Sequence, residues 1–463
     1  MPAAMHHHEF HLHPTEILRE MQNLRGERAA RLVLQGTLVG GATGAIIGLF
    51  RVFYGWSNAF FAHMAAQAPG SPEFIPIFFV ILLLLALGTG WMVRKEPLVS
   101  GSGIPQMELA MLGQLPFPWL RIIVFKFFGT LMSLSGGISV GCGGPSIQLG
   151  AAVGSGFGHL FRQIFGRRVG GPPRFLLAGM VAGLTAAFGA PLAGMLFAFE
   201  EAKTIVSAPL LLFTGVAAAS AWFVVDILFG FGFFFPLSNI SALEWPSVWM
   251  AIPAGILLGA LGALFNKMLL CITRMHDRQK LVPPILKPIL PFMLAGIFVF
   301  VYPDVLVGVG ISTLDLAGGG GSLQNPGQMF SMTALLLLVL TKGGFTIFSF
   351  ASGVPGGLFM PIIALGGMSG ALIGTVVGSP LFLGPAATNM PVFVVLGMTG
   401  LVAGSIRTPL TAVALITEMT GAPQCLPEMC LVTICSIYTA NFLGASPVYK
   451  MLKIRFLELR KAK

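Results

Sequence analysis

Three short segments of this chain combine glycine and proline in a way that suits the binding of an anion by backbone amides. They are residues 101–105 (Gly-Ser-Gly-Ile-Pro), 141–145 (Gly-Cys-Gly-Gly-Pro) and 357–361 (Gly-Leu-Phe-Met-Pro). Glycine leaves the backbone bare for close approach, and proline in a first helical turn gives up an N–H that would lack a partner there. A helix that begins at such a segment exposes its first N–H groups with a partial positive charge, which attracts anions.

For any one segment alone, a helix kink or a site of close packing is a sufficient explanation. Two of the three segments, however, are copies of each other, since Pro145 matches Pro361 at an offset of 216 (361 − 145). A second pair, Ala-Pro-Leu at 190–192 and Thr-Pro-Leu at 408–410, runs at 218 (409 − 191). The chain is therefore predicted to be an internal duplication with an anion site between its repeats, as in many membrane transporters.

The composition of the 463-residue chain agrees with a membrane location. Charged residues make up 10% of it and hydrophobic residues 55%, whereas a soluble chain is about a quarter charged. The polar side chains are too few to cover a surface exposed to water. Alternating strands of about ten residues, which a membrane barrel needs, are absent from the sequence, so we expect an all-α integral membrane protein.

Long apolar stretches with few charges predict the membrane helices. The clearest are residues 74–93, 122–134, 249–270 and 332–340. A helix needs about 20 residues to cross the hydrocarbon core, so the shorter stretches are expected to tilt or to stop partway.

The net charge of +10 is spread over short hydrophilic segments, which argues against a nucleic-acid partner. The basic segments are residues 19–31, 162–168, 274–280 and 450–463. Such segments usually stay on the cytoplasmic side, so we expect a multi-pass protein of the cell (inner) membrane with both termini in the cytoplasm. Contact with acidic lipids is the alternative role of these charges.

The predicted organisation has three parts. Residues 1–32 form a cytoplasmic N-terminal segment, residues 33–455 a transmembrane domain, and residues 456–463 a short basic cytoplasmic tail. Within the transmembrane domain the two inverted halves span about 33–230 and about 245–448. No part of the chain outside them is long enough for a further soluble domain.

Neither the cysteines nor the histidines predict a metal site. The five cysteines are scattered without a close Cys-x-x-Cys spacing and suit apolar packing, with a disulfide between Cys425 and Cys430 as the alternative. The histidine-rich start at residues 6–13 is typical of a tag remnant or a tail, with metal binding as the alternative.

Lys126 and Lys342 interrupt apolar stretches at equivalent positions of the two halves (342 − 126 = 216). Cations inside a membrane are costly, so a duplicated pair suggests a positive field that favours anions. The alternative is that both side chains extend to the membrane interface.

Several motifs, in this order, resemble those of the CLC family of chloride channels and chloride/proton antiporters. They are Gly-Ser-Gly-Ile-Pro at 101–105, Gly-Cys-Gly-Gly-Pro at 141–145, Ala-Pro-Leu-Ala-Gly-Met-Leu-Phe-Ala-Phe-Glu-Glu at 190–201, Gly-Leu-Phe-Met-Pro at 357–361 and Pro-Val-Tyr at 447–449. The resemblance covers about residues 35–455. It implies a homodimer with one anion pathway per subunit, each subunit an inverted-repeat bundle of many tilted and partial helices.

The resemblance also assigns a bound chloride to a set of neutral groups. Ser102 and Tyr449 would offer hydroxyls to a dehydrated chloride at the centre of the pathway. Backbone amides would complete the site, namely those of Gly103, Ile104, Leu358 and Phe359, with Gly143 and Gly144 near a more external position. Neutral dipoles suit transport because a full positive charge would trap the ion. The alternatives are that Ser102 caps a helix and that Tyr449 belongs to the membrane-interface belt.

The chain departs from the family at the position that would gate the pathway. Family members that exchange chloride for protons carry a glutamate in the middle of Gly-x-Glu-Gly-Pro, and this chain has Gly143 there. Glycine can neither titrate nor swing into the pathway. The arginine that precedes this glutamate in the common motif is replaced by Cys142, so the external entrance is expected to have lost a fixed cation as well.

A second proton-handling glutamate of the antiporters matches Glu201. A carboxyl group with little access to water takes up a proton more readily, so Glu201 is a possible internal proton site. Without a partner at position 143 it has no obvious proton route, and a role at a helix end or a subunit interface is the alternative. Its neighbour Glu200 has a repeat partner in Glu418 (418 − 200 = 218), which favours a structural role for Glu200.

We therefore predict a transporter of chloride and similar small anions, not an enzyme, with passive or only weakly proton-coupled flux. One alternative is a proton-coupled or exchanging carrier for chloride, fluoride, nitrate or bicarbonate that uses another titratable group such as Glu201. A membrane-embedded enzyme would need a cluster of catalytic side chains at membrane depth, and an anion sensor would move nothing. The expected partners are the anion, the lipid bilayer and a second copy of the chain, with no metal and no cofactor.

Overall fold

The computed structural model describes residues 26–67, 73–166, 172–202, 207–230, 235, 242–243, 245–279, 282–301, 332–377 and 390–461. These residues are mostly helical, and the only β-type pairing among them is two isolated backbone bridges. In chain order the α-helices are α1 Gly26–Gln67, α2 Phe74–Lys95, α3 Ile104–Met111, α4 Trp119–Ser135, α5 Gly143–Phe165, α6 Pro172–Phe188, α7 Pro191–Ala202, α8 Ala208–Phe229, α9 Ala251–Arg278, α10 Ile289–Val301, α11 Met332–Ala351, α12 Phe359–Val377, α13 Met390–Ile406, α14 Pro409–Thr420, α15 Leu426–Phe442 and α16 Val448–Lys461. The predicted all-α fold is confirmed.

Seven helical segments in the described part of the chain are long and apolar enough to cross a membrane. They are Arg28–Phe61, Phe74–Lys95, Ala208–Phe229, Ser247–Arg278, Met332–Ala351, Phe359–Val377 and Pro423–Phe442. Other apolar helices, such as α7 and α14, are too short to cross a hydrocarbon core alone. The chain is therefore a multi-pass membrane protein that combines full-length and partial helices, as the uneven apolar stretches predict.

Helix boundaries confirm the internal duplication. Helices α6 and α13 begin and end at equivalent residues (390 − 172 = 218 and 406 − 188 = 218), and so do α7 and α14 (409 − 191 = 218 and 420 − 202 = 218). Helices α5 and α12 also begin at equivalent residues (359 − 143 = 216). The same order of apolar runs, glycines and helix-starting prolines thus folds twice in one chain.

A local two-fold axis relates the two halves at their point of contact. Gly141 and Gly357 are equivalent residues (357 − 141 = 216), and they form an antiparallel bridge. The N–H of Gly141 donates to the carbonyl of Gly357 at 2.8 Å, and the N–H of Gly357 donates to the carbonyl of Gly141 at 2.7 Å. Two equivalent residues that exchange both hydrogen bonds lie across an axis that inverts one half relative to the other.

Two carboxylates connect the halves in the same reciprocal way. Glu200, in the last turn of α7, accepts hydrogen bonds of 3.0 and 2.9 Å from the first amides of α14. Glu418, in the last turn of α14, accepts bonds of 3.1 and 2.8 Å from the first amides of α7. A carboxylate stabilises the positive end of a helix and satisfies amides that have no partner within it. The predicted structural role of Glu200 is confirmed.

Glycine brings the helices of each half into backbone contact. A Cβ atom at Gly150 of α5 would overlap the carbonyl oxygen of Gly179 in α6. In the other half, a Cβ atom at Gly366 of α12 would lie 2.5 Å from the carbonyl oxygen of Gly397 in α13. Residues of these four helices are buried along most of their length and form the centre of the core. Small residues at such crossings are the usual means of close helix packing in membranes.

Helices run through two of the predicted boundaries. Helix α1 passes residue 32, where the N-terminal segment was expected to end, and α16 continues past residue 455. After Tyr449 the described chain continues as a single basic helix as far as Lys461, as predicted. The histidine-rich residues 6–13 lie outside the described residues, and Cys425 and Cys430 are free thiols.

Candidate anion-binding site

All three glycine- and proline-containing segments are helix N-termini. Helix α3 begins at Ile104, α5 at Gly143 and α12 at Phe359, and each start is buried inside the protein. Helix α16 adds a fourth buried start, since it begins at Val448 with Tyr449 as its second residue. The first N–H groups of a helix have no acceptor within it. Buried starts therefore present their amides to whatever occupies the interior.

Backbone hydrogen bonds hold the three segments together. The N–H of Gly101 donates to the carbonyl of Val354 at 3.1 Å, and the N–H of Gly356 donates to the carbonyl of Gly101 at 3.0 Å. The reciprocal bonds between Gly141 and Gly357 join the other two segments. Segments that are about 40 and 250 residues apart in the sequence thus meet in one place, as the anion-site prediction requires.

Close approach explains why these segments contain glycine. A Cβ atom at Gly144 would lie 2.9 Å from the Cβ atom of Ser102 and 3.2 Å from the Cα atom of Gly357. Gly103, the residue before α3, has a φ of 84°, which only glycine adopts without strain. The side chain of Gln148 occupies the space where a side chain at Gly103 would point. A larger residue at Gly144 would push the segments of Ser102 and Gly357 apart, and one at Gly103 would displace the Gln148 side chain.

The two predicted hydroxyl ligands are buried and lack a hydrogen-bond partner among the described residues. Ser102 is 2% exposed and Tyr449 is 0% exposed, and neither Ser102 Oγ nor the Tyr449 hydroxyl makes a hydrogen bond. A buried polar group without a partner costs about 1–3 kcal/mol. A dehydrated anion that accepts a bond from such a hydroxyl would remove that cost.

Both simpler explanations of these residues are wrong. Ser102 does not cap α3, because the N-cap residue is Gly103 and no side chain bonds to the cap. Tyr449 does not lie at the membrane interface, because its side chain is fully enclosed.

A row of aromatic rings connects Tyr449 with Gly143. The ring of Tyr449 packs against Phe197 with centroids 6.4 Å apart, and Phe197 packs against Phe359 at 5.6 Å. Phe359 in turn contacts Phe188 at 6.0 Å. One continuous row of rings thus links two of the predicted site residues, Tyr449 and Gly143.

Phe188 occupies the side-chain space at position 143. A Cβ atom on Gly143 would lie 2.6 Å from Cζ of Phe188 and 3.4 Å from the Cβ atom of Phe359. Where a gating glutamate was expected to be absent, an aromatic ring therefore fills the volume. Phe188 was not predicted as a site residue. Its position two residues before the 190–201 motif is the signal that would have found it.

Lys126 supports the segment that carries Ser102. Its ammonium group is fully buried and donates to the carbonyls of Val99 at 2.9 Å and Gly101 at 2.6 Å. Lys342 is also fully buried. Extension of these lysines to the membrane interface is therefore wrong. The positive field expected from Lys126 and Lys342 stays a prediction.

Three side chains that sequence analysis missed hold the linker in front of Tyr449. Lys267 Nζ donates to the carbonyl of Leu443 at 2.7 Å, Arg407 Nη2 to that of Ala445 at 2.9 Å, and Asn266 Nδ2 to that of Ser446 at 3.0 Å. These carbonyls follow α15, where a helix leaves acceptors without partners. An asparagine inside the apolar helix α9 was the available signal, since buried amides are normally fully bonded.

Two carboxylates lie within electrostatic range of the Tyr449 hydroxyl, on Glu201 and Glu108. Glu201 is the predicted internal proton site, at the end of α7. Glu108 belongs to α3 and was not predicted. One of its carboxylate oxygens bonds to Lys453 at 2.6 Å, and the other has no hydrogen-bond partner among the described residues. The Tyr449 end of the row of rings thus carries acidic groups, whereas the three nearest atoms to a Cβ on Gly143 belong to phenylalanines.

Comparison with known proteins agrees with this geometry. Residues 82–441 match the family described as voltage gated chloride channel. The chain belongs to this family. Among its CLC relatives is the H(+)/Cl(−) exchange transporter ClcA of Salmonella paratyphi B, which is 31% identical over 459 residues, 96% of this chain and 93% of the relative. The ClcA of Salmonella arizonae is 31% identical over 450 residues, covering 95% of this chain and 91% of the relative.

Solved structures of CLC proteins share the fold. A slow cyanobacterial Cl−/H+ antiporter superposes with a TM-score of 0.81 at 27% identity, over 92% of this chain and 98% of the other. A CLC-type fluoride/proton antiporter gives a TM-score of 0.69 at 22% identity, over 91% of this chain and 97% of the other. At that identity the second likeness concerns the fold alone. The inverted-repeat bundle expected from the motifs is confirmed.

Proposed function

We propose that this chain carries chloride across the membrane along a pathway lined by Ser102, Tyr449 and the starts of α3, α5 and α12. The amides involved are those of Gly103, Ile104, Gly143, Gly144, Leu358 and Phe359. The observation that carries the proposal is the pair of buried hydroxyls without a partner, on Ser102 and Tyr449, each of which lies at a buried helix start. The names of the ClcA relatives, which exchange protons and chloride, support the same substrate.

Neutral hydrogen-bond donors allow a bound chloride to leave the site. Amide and hydroxyl dipoles replace part of the hydration shell of chloride without the strong attraction of a full charge, so the ion binds and still leaves. The ammonium group of Lys126 donates its hydrogen bonds to the backbone carbonyls of Val99 and Gly101, next to Ser102. In the proposed pathway this charge acts on chloride only as a field, which favours anions over cations and neutral solutes.

We further propose that chloride flux is passive or only weakly coupled to protons. Coupling by the family's glutamate would need a carboxylate at position 143. This chain has glycine there, and the Phe188 ring fills the adjacent space. A phenylalanine ring can block an anion but cannot carry a proton.

A coupled carrier is the second candidate, and two observations favour it. The relatives in the comparison carry the names of exchangers and antiporters. Glu201 and Glu108 also lie within electrostatic range of Tyr449, so a proton could be held at that end of the pathway. In this case protons would have to leave the Tyr449 end by a route that avoids position 143.

Simultaneous recording of chloride and proton movement in proteoliposomes tests both candidates. A chloride gradient at symmetrical pH should drive chloride efflux with no proton movement above that of protein-free vesicles. Uphill proton movement at a fixed ratio to chloride would contradict passive flux and support the coupled carrier. The variant Glu201→Gln then separates the routes, because it should abolish coupling by Glu201 and leave passive chloride flux unchanged. Absence of chloride flux in the wild-type protein would contradict chloride transport itself.

We also infer that the chain acts as a homodimer with one pathway in each subunit and with both termini in the cytoplasm. Many large apolar side chains are exposed on the outer helices, for example Phe223 on α8 and Phe442 on α15, and suit lipid or a second subunit. Light scattering in detergent should give the mass of two chains. A cysteine introduced at Lys461 should react with an impermeant thiol reagent only from the cytoplasmic side, and labelling from outside would contradict the orientation.

A further inference from the structure

Arg51 is a cation in the middle of α1, within the candidate membrane span Arg28–Phe61. Its side chain is half-buried, and Nη1 donates a hydrogen bond of 3.2 Å to the carbonyl of Ala186 in the last turn of α6. The carbonyl end of a helix is its negative end, which stabilises a cation. Because charges at membrane depth are costly and mostly functional, Arg51 calls for an explanation beyond packing.

Arg51 lies at the Gly143 end of the proposed pathway. Ala186 is two residues before Phe188, whose ring fills the space beside Gly143. Arg51 is also within electrostatic range of Cys142, the N-cap residue of α5. Two independent relations, one to the end of α6 and one to the start of α5, therefore place the guanidinium near the first amides of α5.

This placement brings two positive features together. The guanidinium of Arg51 and the N-terminus of α5 repel each other weakly, and an anion near the first amides of α5 would stabilise both. The sequence predicts that replacement of an arginine by Cys142 removes one fixed cation from this entrance. Helix α1 brings a different cation, Arg51, toward the same place from another part of the chain.

We propose that Arg51 determines the affinity for chloride at the Gly143 end of the pathway by attracting the anion to the first amides of α5. The inference rests on the proposed chloride transport. The hydrogen bond to Ala186 holds the charge beside the pathway, so chloride is concentrated at the entrance without being trapped by direct contact.

The test is the chloride dependence of initial flux in proteoliposomes for wild type, Arg51→Gln and Arg51→Lys. Loss of the charge in Arg51→Gln should raise the half-saturating chloride concentration about five- to tenfold, with a maximum rate within about twofold of wild type. Arg51→Lys keeps the charge and should keep the wild-type half-saturation. If Arg51 served only to hold the end of α6, both variants would lower the maximum rate at unchanged half-saturation, and the proposal would be wrong.

Arg174→Gln is the matched control. Arg174 lies at the opposite end of α6, where it bonds to Gln35 of α1 at 2.9 Å and lies over the ring of Phe175. The control removes the same charge from the same pair of helices, far along α6 from Ala186. It should leave the half-saturating chloride concentration unchanged. An equal shift in Arg174→Gln would indicate a general effect of net charge and would overturn the assignment to Arg51.

Relocation of the charge gives a second measurement. Cys142→Arg combined with Arg51→Gln returns a cation to the start of α5 and should restore the wild-type half-saturation. If Arg51→Gln alone does not fold, as judged by size-exclusion chromatography, this double variant and Arg51→Lys decide the question. A shifted half-saturation in both contradicts the proposal. Wild-type protein without chloride flux contradicts the proposed function instead, so the two failures are distinguishable.

Discussion

Gly143 and Phe359 are the first residues of α5 and α12, and they occupy equivalent positions in the two halves of the chain (359 − 143 = 216). Both are buried, and both begin a helix whose amides face the proposed pathway. Phe359 places a ring between Phe188 and Phe197, whereas Gly143 leaves its side-chain space to Phe188. One half thus provides part of the wall, and the other half provides bare backbone.

The same contrast recurs at Gly189 and Arg407, which are also equivalent (407 − 189 = 218). Both have left-handed backbones, with φ of 68° and 71°. Glycine adopts this conformation freely, whereas another residue loses about 1–2 kcal/mol. Arg407 offsets that cost with hydrogen bonds, one of which holds the carbonyl of Ala445 in front of Tyr449. The two halves therefore share one backbone scaffold. They differ in function at the positions where one half has a side chain and the other has glycine.

The largest effects should come from the scaffold and should be alike in the two halves. Gly150→Leu and Gly366→Leu each force a side chain into the backbone of the crossing helix. Each should destabilise the fold by at least about 3 kcal/mol and reduce the monodisperse fraction in size-exclusion chromatography. Gly344→Leu is the control, because nothing lies within 4 Å of its Cβ position. A large loss of stability in only one of the two variants would show that the two halves are not equivalent scaffolds.

The reciprocal carboxylates should have the next largest effect. Glu200→Ala and Glu418→Ala each leave helix-start amides of the other half without their partner, at a cost of about 2 kcal/mol in the free energy of unfolding. Thermal unfolding should show similar shifts for both variants. Glu458→Ala, which removes an exposed ion pair with Arg274 at 3.8 Å, should change little. Unequal shifts would mean that only one half depends on its cap.

The asymmetry at Gly143 predicts a change in transport and not in folding. Gly143→Glu should reduce chloride flux about tenfold or more at neutral pH, with recovery in acid as the new carboxylate is protonated. The new side chain must displace the Phe188 ring, so Phe188→Ala in the same background should make room and sharpen the pH dependence. Flux of Gly143→Glu that matches wild type at every pH would contradict the placement of the pathway.

The smallest effects should come from single hydroxyls. Tyr449→Phe and Ser102→Ala each remove one donor to chloride, and one hydrogen bond is worth about 1 kcal/mol. Each variant should therefore weaken chloride binding about three- to fivefold in isothermal titration calorimetry. Tyr438→Phe is the control, because Tyr438 is exposed on α15. Unchanged affinity in both variants would remove the hydroxyls from the site and leave only the amides.

Several parts of the site follow from sequence because they depend on local properties. Glycine and proline mark helix starts through backbone conformation and missing donors, so the starts near residues 104, 143 and 359 were predictable. The duplication was visible as matched motifs, and Glu200 gained its structural role from its partner Glu418. Ser102 and Tyr449 came from the family resemblance, since a lone serine or tyrosine carries no signal of its own.

The sequence by itself determined the membrane location, the helical class, the repeat and the absence of a titratable side chain at position 143, because composition, periodicity and residue identity do not depend on long-range contacts. Only the tertiary structure decided that Phe188 fills the space at Gly143, that Arg51 reaches Ala186, and that Asn266 and Arg407 hold the linker before Tyr449. Arg51 and Ala186 are 135 residues apart in the chain, and Asn266 and Ser446 are 180 apart. A sequence pattern indicates that a polar group in a membrane helix needs a partner, but the packing of distant helices selects which partner it finds.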